Sequence, residues 1–241
     1  MNKVHLMIQP KGGIGKSLTT SFLAQHQMKL SSNLLVIDID QENPTLSQYK
    51  ALKVQRLSVM DEARAIDPKL FDKLIIMIIE HPGDVIIDTG ASIFSALMAY
   101  IVENTVFDII QDSGKELIIH TIIGGGDTLY DTANGFADIA QHVDGNIVLW
   151  LNEHFGKLVS SNGVAIENAR VITENKDKII GMIKLIDRTR GTFGSDITKM
   201  ATARMTFNEI DASDQFNRLE KNRLGIIRKA VFDQLDKLAI A

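Results

Sequence analysis

The stretch QPKGGIGKS, residues 9–17, decides the fold of this chain. The apolar run at residues 4–8 predicts a short buried strand before it, and residues 18–30 predict a helix after it. Glycines at such a position let the backbone curl so that successive N–H groups point at one anion, and the following helix adds the partial positive charge of its N-terminus. A strand, a glycine-rich turn and a helix in this order therefore predict a phosphate-binding loop.

The side chains and the backbone of this loop suit different parts of a nucleotide. Lys16 can reach the β- and γ-phosphates, and the Ser17 hydroxyl can bind Mg²⁺. The other nucleotide-binding positions of the loop are Gly12, Gly13, Ile14, Gly15 and Leu18. A glycine-rich turn that merely precedes Lys-Ser is the alternative, and the flanking strand and helix disfavour it.

The loop departs from the common pattern G-x-x-x-x-G-K-[ST], because Pro10 occupies the first glycine position. The variant K-G-G-x-G-K-[ST] resembles the deviant Walker A loop of the ParA/MinD family of ATPases. This resemblance implies that Lys11 reaches across a dimer to the partner's nucleotide, where it would stabilise charge on the transferring phosphoryl group as an arginine finger does. Without the resemblance, a solvated loop lysine would be the simpler interpretation.

Two predicted strands end in acidic residues. One apolar strand ends in Asp38, with Asp40 two residues later, and another ends in Asp88 followed by Thr-Gly. Ligands of open parallel sheets bind at the carboxyl ends of the strands. The family resemblance implies that Asp38 and Asp40 orient the attacking water or a Mg²⁺-bound water. It also implies that Asp88 holds Mg²⁺ through water, while Ser17 binds the ion through its hydroxyl. Turn formation is the alternative role for these aspartates.

The alternation of apolar strands with helices predicts an α/β fold: a doubly wound, mostly parallel sheet with helices on both faces. Six strands are predicted, at residues 4–8, 34–38, 84–91 with its exit loop, 116–123, 146–152 and 179–186. Helices are predicted at residues 18–30, 68–79 and 92–103, and another follows the turn at 124–128 and ends at about residue 142. A helix-rich stretch begins at about residue 165, and the part from 187 to the end is also predicted to be helical. Residues 74–79 could also form a buried strand, although their spacing favours a helix.

Three further features lie in or after the later strands. The turn Gly124–Gly126 lacks Lys-Ser, and we expect it to let the backbone pass close to a ligand or partner. Asn152 lies where related ATPases place an asparagine against the adenine edge, although strand ends favour asparagine in any case. His120, within an apolar strand, is expected to be a packed, hydrogen-bonded core residue.

Composition limits the class of protein. The chain has 241 residues, 45% of them hydrophobic, and no cysteine, which excludes disulfides, thiolate zinc sites and iron–sulfur clusters. No run approaches the roughly 18 consecutive apolar residues of a membrane span, and no signal peptide is recognised. We expect a single cytoplasmic domain, residues 1–241, with a helical C-terminal part from about residue 187.

Beyond the loop, nearly the whole chain resembles the TraL family, the ParA/MinD-like nucleotide-binding proteins of plasmid conjugal transfer operons. The resemblance is carried by YKALKV at 49–54, GAS at 90–92, the strand at 148–152, TF at 206–207 and FDQLD at 232–236. It implies an ATPase switch that binds ATP/ADP and Mg²⁺, forms an ATP-dependent homodimer and acts with a protein of a conjugation or type IV secretion system. Peripheral recruitment to a membrane-bound transfer complex is one option. Leu18 replaces a second hydroxyl residue common in relatives, so modest nucleotide affinity is expected.

Two other functions stay open from the sequence. An ATP-dependent metabolic ligase of the same fold would need further catalytic residues for a small substrate, and no such cluster is visible. A module that binds nucleotide without hydrolysing it is disfavoured by the three aspartates at the strand ends.

The C-terminal part differs from the rest in charge. Residues 184–229 contain ten basic and six acidic residues, a net charge of +4, whereas the remainder carries −8. Non-specific DNA binding is therefore considered, but the interspersed acids favour a protein partner. Apolar residues at helical spacing near the end of the chain predict a helix that packs on the protein's own sheet or on a second subunit, since its opposite face is not basic enough for a membrane.

Overall fold

The computed structural model describes residues 1–238 and 240. Its centre is a seven-stranded sheet with the strand order β3-β2-β4-β1-β5-β6-β7, in which every neighbouring pair is parallel. The strands are β1 (Asn2–Met7), β2 (Leu34–Asp38), β3 (Gln55–Arg56), β4 (Asp84–Asp88), β5 (Lys115–Gly124), β6 (Ile147–Asn152) and β7 (Ile179–Leu185).

Helices lie between most of the strands and after the last one. They are α1 (Lys16–Leu30), α2 (Phe71–Glu80), α3 (Phe94–Glu103), α4 (Val106–Asp112), α5 (Leu129–His142), α6 (Arg170–Thr173), α7 (Ser195–Ala203), α8 (Phe207–Ala212) and α9 (Arg218–Leu235). No helix within residues 1–238 and 240 is both long and apolar enough to cross a membrane.

All six strands predicted from the sequence are present, and the structure adds two elements that the sequence pattern did not indicate. β3 consists of two exposed residues and so has no apolar pattern to reveal it. α4 follows α3 after only two residues, Asn104 and Thr105, and Thr105 adopts a left-handed conformation with φ 47° that turns the chain. The helix-rich stretch predicted from residue 165 is only partly right, because it holds short 3-10 turns and the four-residue α6.

Apolar layers cover both faces of the sheet. One layer packs α2, α3, α4 and α5 against the sheet around Phe71, Leu97 and Phe136. The other lies between the sheet and α1, α8 and α9 and includes Trp150 and Phe207. Because both faces are covered, the central strands are almost continuously apolar, which is why the sequence revealed them.

The last helix packs on the protein's own sheet. Leu224, Val231 and Leu235 of α9 are buried in the second apolar layer. The side-chain amide of Gln234 also accepts from the Lys184 N–H at 2.8 Å and donates to the Lys184 carbonyl at 3.1 Å, on β7. Packing on the protein's own sheet, one of the two options predicted for this helix, is therefore confirmed.

A hydrogen-bonded group of rings lies in the middle of the sheet. The Trp150 Nε1–H donates to Nδ1 of His120 at 3.1 Å, and Nε2 of His120 lies 3.0 Å from Nδ1 of His5. Burial lowers the pKa of His5 to about 4 and also lowers the pKa of His120. The prediction that His120 is a packed core residue is confirmed, and its partner His5 was not anticipated.

Candidate functional site

The connection from β1 to α1 has the backbone geometry that a phosphate-binding loop requires. Gly13 and Gly15 adopt left-handed conformations with φ 72° and 95°, where a side chain would be strained. Gly15 caps the first turn of α1, so the free N–H groups and the partial positive charge of this helix end lie at the loop. The strand, loop and helix predicted from the sequence are therefore present in the predicted order.

Lys16 lies across the inside of this loop. Its ammonium group donates to the carbonyl oxygen of Lys11 at 2.9 Å, and the side chain is almost completely buried. Burial lowers the pKa of Lys16, while the carboxylates of Asp88 and Asp40 oppose this effect. The cation is thus held at the position where phosphate oxygens would enter the loop.

Asp88 lies at the carboxyl end of β4, beside the first turns of α1. Its Oδ1 accepts a hydrogen bond from the Thr20 hydroxyl at 2.7 Å, whereas its Oδ2 is buried without a partner in the described part of the chain. Burial raises the pKa of Asp88 to about 7, although hydrogen bonding with the hydroxyls of Ser17 and Thr20 acts in the opposite direction. A carboxylate oxygen is therefore free to bind a ligand next to the loop.

Thr20 was not recognised from the sequence as part of the site. It lies three residues after Ser17, and residues at this spacing share one face of a helix. The spacing was therefore a signal that could have found it.

Asp38 and Asp40 lie at the same edge of the sheet as Asp88. Asp38 lies opposite Asp88 in the register of β2 and β4, and burial raises its pKa. Its two oxygens accept from the N–H groups of Ser47 and Asp40 at 2.8 and 3.0 Å, and Oδ1 of Asp40 accepts from two further backbone N–H groups. The turn-forming role left open from the sequence is therefore present, and the same geometry brings the three aspartates together.

Gly90 shows how closely the loops after β2 and β4 approach each other. A Cβ atom at Gly90 would lie 2.7 Å from Oδ1 of Asp40. The loops after β2 and β4 are thus in direct contact, and a side chain at position 90 would push Asp40 away from the edge of the sheet.

Lys11, at the start of the loop, differs from Lys16 in being partly exposed and in contacting another helix, which we call the outer side of the loop. Its ammonium group pairs with Oδ2 of Asp131, on α5, at 2.6 Å. The side chains of Lys11 and Asp131 are 42% and 58% exposed, so water screens the attraction between them. Asp131 was not singled out from the sequence, because nothing in the spacing of the two residues indicates that they meet.

Asn152 contacts the loop from β6. Its Nδ2 donates to the Ile14 carbonyl at 3.1 Å, and its Oδ1 accepts from the His154 N–H at 3.1 Å. A cavity of about 460 Å³ begins beside this contact and extends towards α7 and α9, with Leu18 and Phe22 in its wall. The adenine contact expected of Asn152 stays a prediction. The cavity adjoins the loop, so it could hold the base of a nucleotide whose phosphates are bound in the loop.

The glycines at 124–126 are closely approached by another segment of the chain. A Cβ atom at Gly125 would lie 1.9 Å from the Gly156 carbonyl oxygen, and one at Gly126 would lie 2.3 Å from that of Phe155. The close neighbour that the structure shows is the chain's own loop after β6, and the expected approach of a ligand or partner stays a prediction.

Comparison with known proteins gives relatives of the same length. No family model matches the chain. Two proteins named Protein TraL from Escherichia coli are 37% identical to it, over 244 and 242 aligned residues that cover 100% of this chain and of each relative.

Solved structures share the fold at low identity. The MinD cell division protein of Aquifex aeolicus has a TM-score of 0.54 at 16% identity, covering 99% of both chains. The septum site-determining protein MinD complexed with Mg-ADP from Pyrococcus horikoshii OT3 has a TM-score of 0.52 at 16% identity, covering 98% of this chain and 97% of that one. A putative plasmid partition protein from Borrelia burgdorferi B31 bound to AMPPNP has a TM-score of 0.51 at 13% identity, covering 97% and 99%. These likenesses confirm the predicted ParA/MinD-like P-loop fold.

Proposed function

The chain belongs to the TraL family, and from that premise we propose that it is a Mg·ATP-dependent switch of plasmid conjugal transfer, built as a single P-loop ATPase domain. The observation that carries the proposal is the loop itself: two left-handed glycines, a buried Lys16 lying across it, and the Ser17 hydroxyl beside the buried carboxylate of Asp88. The fold that the chain shares with MinD and plasmid partition proteins supports it.

ATP binding follows from the arrangement of donors in the loop. The backbone N–H groups of residues 12–17 and the N-terminus of α1 bind the phosphates. The Lys16 ammonium exchanges the Lys11 carbonyl for β- and γ-phosphate oxygens, so binding replaces one of its hydrogen bonds rather than creating a new buried charge. Neighbours of this fold described with Mg-ADP and AMPPNP support a nucleotide ligand.

Mg²⁺ fits the oxygen atoms that the chain offers. Ser17 and Asp88 supply a hydroxyl and a carboxylate, which are ligands that Mg²⁺ prefers. Residues 1–238 and 240 contain no cluster of three or more His, Asp or Glu that could hold a metal ion. In this proposal the phosphates of ATP would supply the further oxygen ligands. When bound, the ion neutralises charge on these phosphates.

Hydrolysis of ATP to ADP and phosphate requires the remaining polar groups of the site. Asp38 and Asp40 orient the attacking water, and Lys11 of a second subunit stabilises charge on the phosphoryl group. Lys11 must leave Asp131 to do so, and their exposed pair is weak enough to exchange. Two subunits therefore close around ATP and separate after hydrolysis.

The partner that reads these two states is proposed to be a protein of the conjugation or type IV secretion machinery. A switch works through a difference in the partner's affinity for the two states. Non-specific DNA is less well supported, because many basic side chains of residues 184–229 already contact acidic ones. These pairs are Lys184–Glu167, Lys199–Glu220, Arg223–Asp196, Arg228–Asp211 and Lys229–Asp233. Cytoplasmic location with peripheral recruitment to a transfer complex is part of this proposal.

Calorimetry with Mg·ATP tests the site directly. Lys16→Ala removes the cation that faces the phosphates, and we expect the heat of ATP binding to disappear. Lys176→Ala, on an exposed turn, is the matched control and should bind as the unmodified protein does. Unchanged affinity in Lys16→Ala would rule out the proposed site.

A further inference from the structure

The residues that precede the glycines of the phosphate loop are fixed to distant parts of the chain. Gln9 is completely buried, and its side-chain amide donates to the Ile122 carbonyl of β5 at 2.9 Å and to the Thr132 carbonyl of α5 at 3.1 Å. The Thr121 hydroxyl is a third, longer neighbour of the same nitrogen at 3.2 Å. Since an amide nitrogen carries two hydrogens, one can bond to the strand and the other to the helix. Gln9 therefore joins the start of the loop to both β5 and α5.

Pro10 and Gly135 form a second contact between the loop and α5. A Cβ atom on Gly135 would lie 2.0 Å from Oε1 of Gln9 and 2.8 Å from two ring carbons of Pro10. Alanine stabilises the interior of a helix more than glycine does. The glycine in the middle of α5 is therefore explained by the close approach of the loop, which leaves no room for a side chain.

Lys11 follows Gln9 and Pro10 directly and contacts the same helix. Its ammonium group pairs with Asp131, which precedes Thr132 on α5. Three successive residues of the chain thus meet the first two turns of α5. The buried contacts of the first two hold the backbone, whereas the exposed ion pair of the third holds its side chain only weakly.

We propose that Gln9 is a positioning residue, which fixes the backbone of Lys11 on α5 so that this lysine can reach the nucleotide of a second subunit. The assignment rests on the proposed function, in which Lys11 acts across the dimer. A lysine on a loose loop would lose much conformational freedom when the subunits close, and this loss opposes closure. With the backbone fixed, only the side chain has to move from Asp131 to the partner's nucleotide.

Two substitutions test the contacts with α5 in different ways. Gln9→Leu keeps a buried side chain of similar size but removes both amide hydrogen bonds. Gly135→Ala places a methyl group against Gln9 and Pro10, which pushes the loop away from the helix. In each variant we expect kcat for ATP hydrolysis to fall about tenfold, because a misplaced catalytic group loses rate steeply. The affinity for Mg·ATP should stay nearly unchanged, because residues 12–17, which face the phosphates, lead directly into α1.

Matched controls separate positioning from general destabilisation. Gln27→Leu removes a glutamine that is equally buried and donates to the Ile240 carbonyl at 3.1 Å, near the other end of α1. Gly225→Ala adds a carbon in α9 that would meet no neighbouring segment within 4 Å. Both controls should hydrolyse ATP as the unmodified protein does, and circular dichroism checks that all four variants fold.

The position of Lys11 can also be measured without nucleotide. A carbodiimide couples a lysine amine to a carboxylate that it contacts, and mass spectrometry of the digested protein quantifies the product. The Lys11–Asp131 product should form in the unmodified protein and in both controls, and most of it should be lost in the other two variants. The pair Lys199–Glu220, in contact at 2.9 Å, is the internal reference. Because this measurement needs no ATP, it distinguishes a failure of the positioning role from a failure of the proposed function.

A double-mutant cycle connects Gln9 with Lys11. Gln9→Leu added to Lys11→Ala should lower single-turnover hydrolysis no further, because the group that Gln9 positions is already absent. A general structural role would instead lower hydrolysis by the same factor in both backgrounds. That additive result, equal effects of the control variants, or an unchanged yield of the Lys11–Asp131 product in Gln9→Leu would each overturn the proposal.

Discussion

The inner and outer sides of the phosphate loop hold their lysines in opposite ways. Inside, Lys16 is buried and surrounded by polar groups that are themselves buried, including Asp88. Outside, the one ion pair of Lys11 with the described residues is an exposed pair with Asp131. Burying charged groups such as Lys16 and Asp88 costs free energy, and their surroundings hold them in place. The exposed pair between Lys11 and Asp131 contributes little free energy, so it can break easily. The difference suggests that the inner side serves binding within one subunit and the outer side serves exchange between subunits.

Asp88→Asn gives the strongest test of the inner side. We expect Mg²⁺-dependent ATP hydrolysis to fall by at least about 10²-fold, because a charged ligand oxygen is lost. Thermal stability without nucleotide should stay equal or rise, because a buried carboxylate with an unpartnered oxygen becomes a neutral amide that can still accept from Thr20. A lower melting temperature would instead make Asp88 a structural residue.

Lys11→Ala tests the outer side. ATP binding should be retained, while hydrolysis falls by about 10³-fold, the smaller effect of an arginine finger supplied in trans. ATP-dependent dimerisation, measured by light scattering, should also be lost. Mixing this variant with Asp40→Ala should restore part of the activity, because one composite site then has both groups. Unchanged dimerisation in Lys11→Ala would refute a role across the subunit boundary.

His5 and His120 extend the comparison to a third region, because both are buried in the sheet and neither belongs to the phosphate loop. Below pH 6.5 the unfolded chain takes up a proton at His5, whereas the folded protein takes it up only near pH 4. The free energy of unfolding should therefore decrease as the pH falls through this interval, by up to about 3 kcal/mol from His5. Urea denaturation at a series of pH values measures this decrease. His5→Gln should show a smaller decrease, and an identical pH profile would contradict the assignment.

Asp131→Asn should have the smallest effect. An exposed ion pair contributes no more than about 1 kcal/mol, so the free energy of unfolding and the affinity for ATP should change little. Releasing Lys11 should leave ATP-dependent dimerisation intact or strengthen it. Sedimentation of the variant with and without ATP measures this, and loss of dimerisation would show that Asp131 has a direct role in the dimer.

Prediction from sequence succeeded where the signal was local. The loop is a continuous stretch, and Asp38 and Asp88 each end an apolar strand, so their meeting at one edge follows from the parallel sheet. Contacts between distant segments were not accessible in this way. Asp131 and His5 meet Lys11 and His120 only because the fold brings α5 to the loop and β1 beside β5.

The glycines at 124–126 show a second kind of limit. Their composition correctly indicated a close approach of the backbone, but it could not indicate what approaches. The neighbour belongs to a loop about 30 residues later in the chain, and only the packing of that loop identifies it.

The two hydrogen bonds between Gln234 and the backbone of Lys184 have a consequence for solubility. β7 is an edge strand, and an edge strand with free N–H and C=O groups can recruit strands from other molecules. The Gln234 amide occupies one such pair of groups, and α9 shields the strand beside it. At the other edge, β3 is only two residues long and ends in Arg56. The protein thus protects both sides of its sheet against intermolecular strand pairing, and a chain cut before α9 would tend to aggregate through β7.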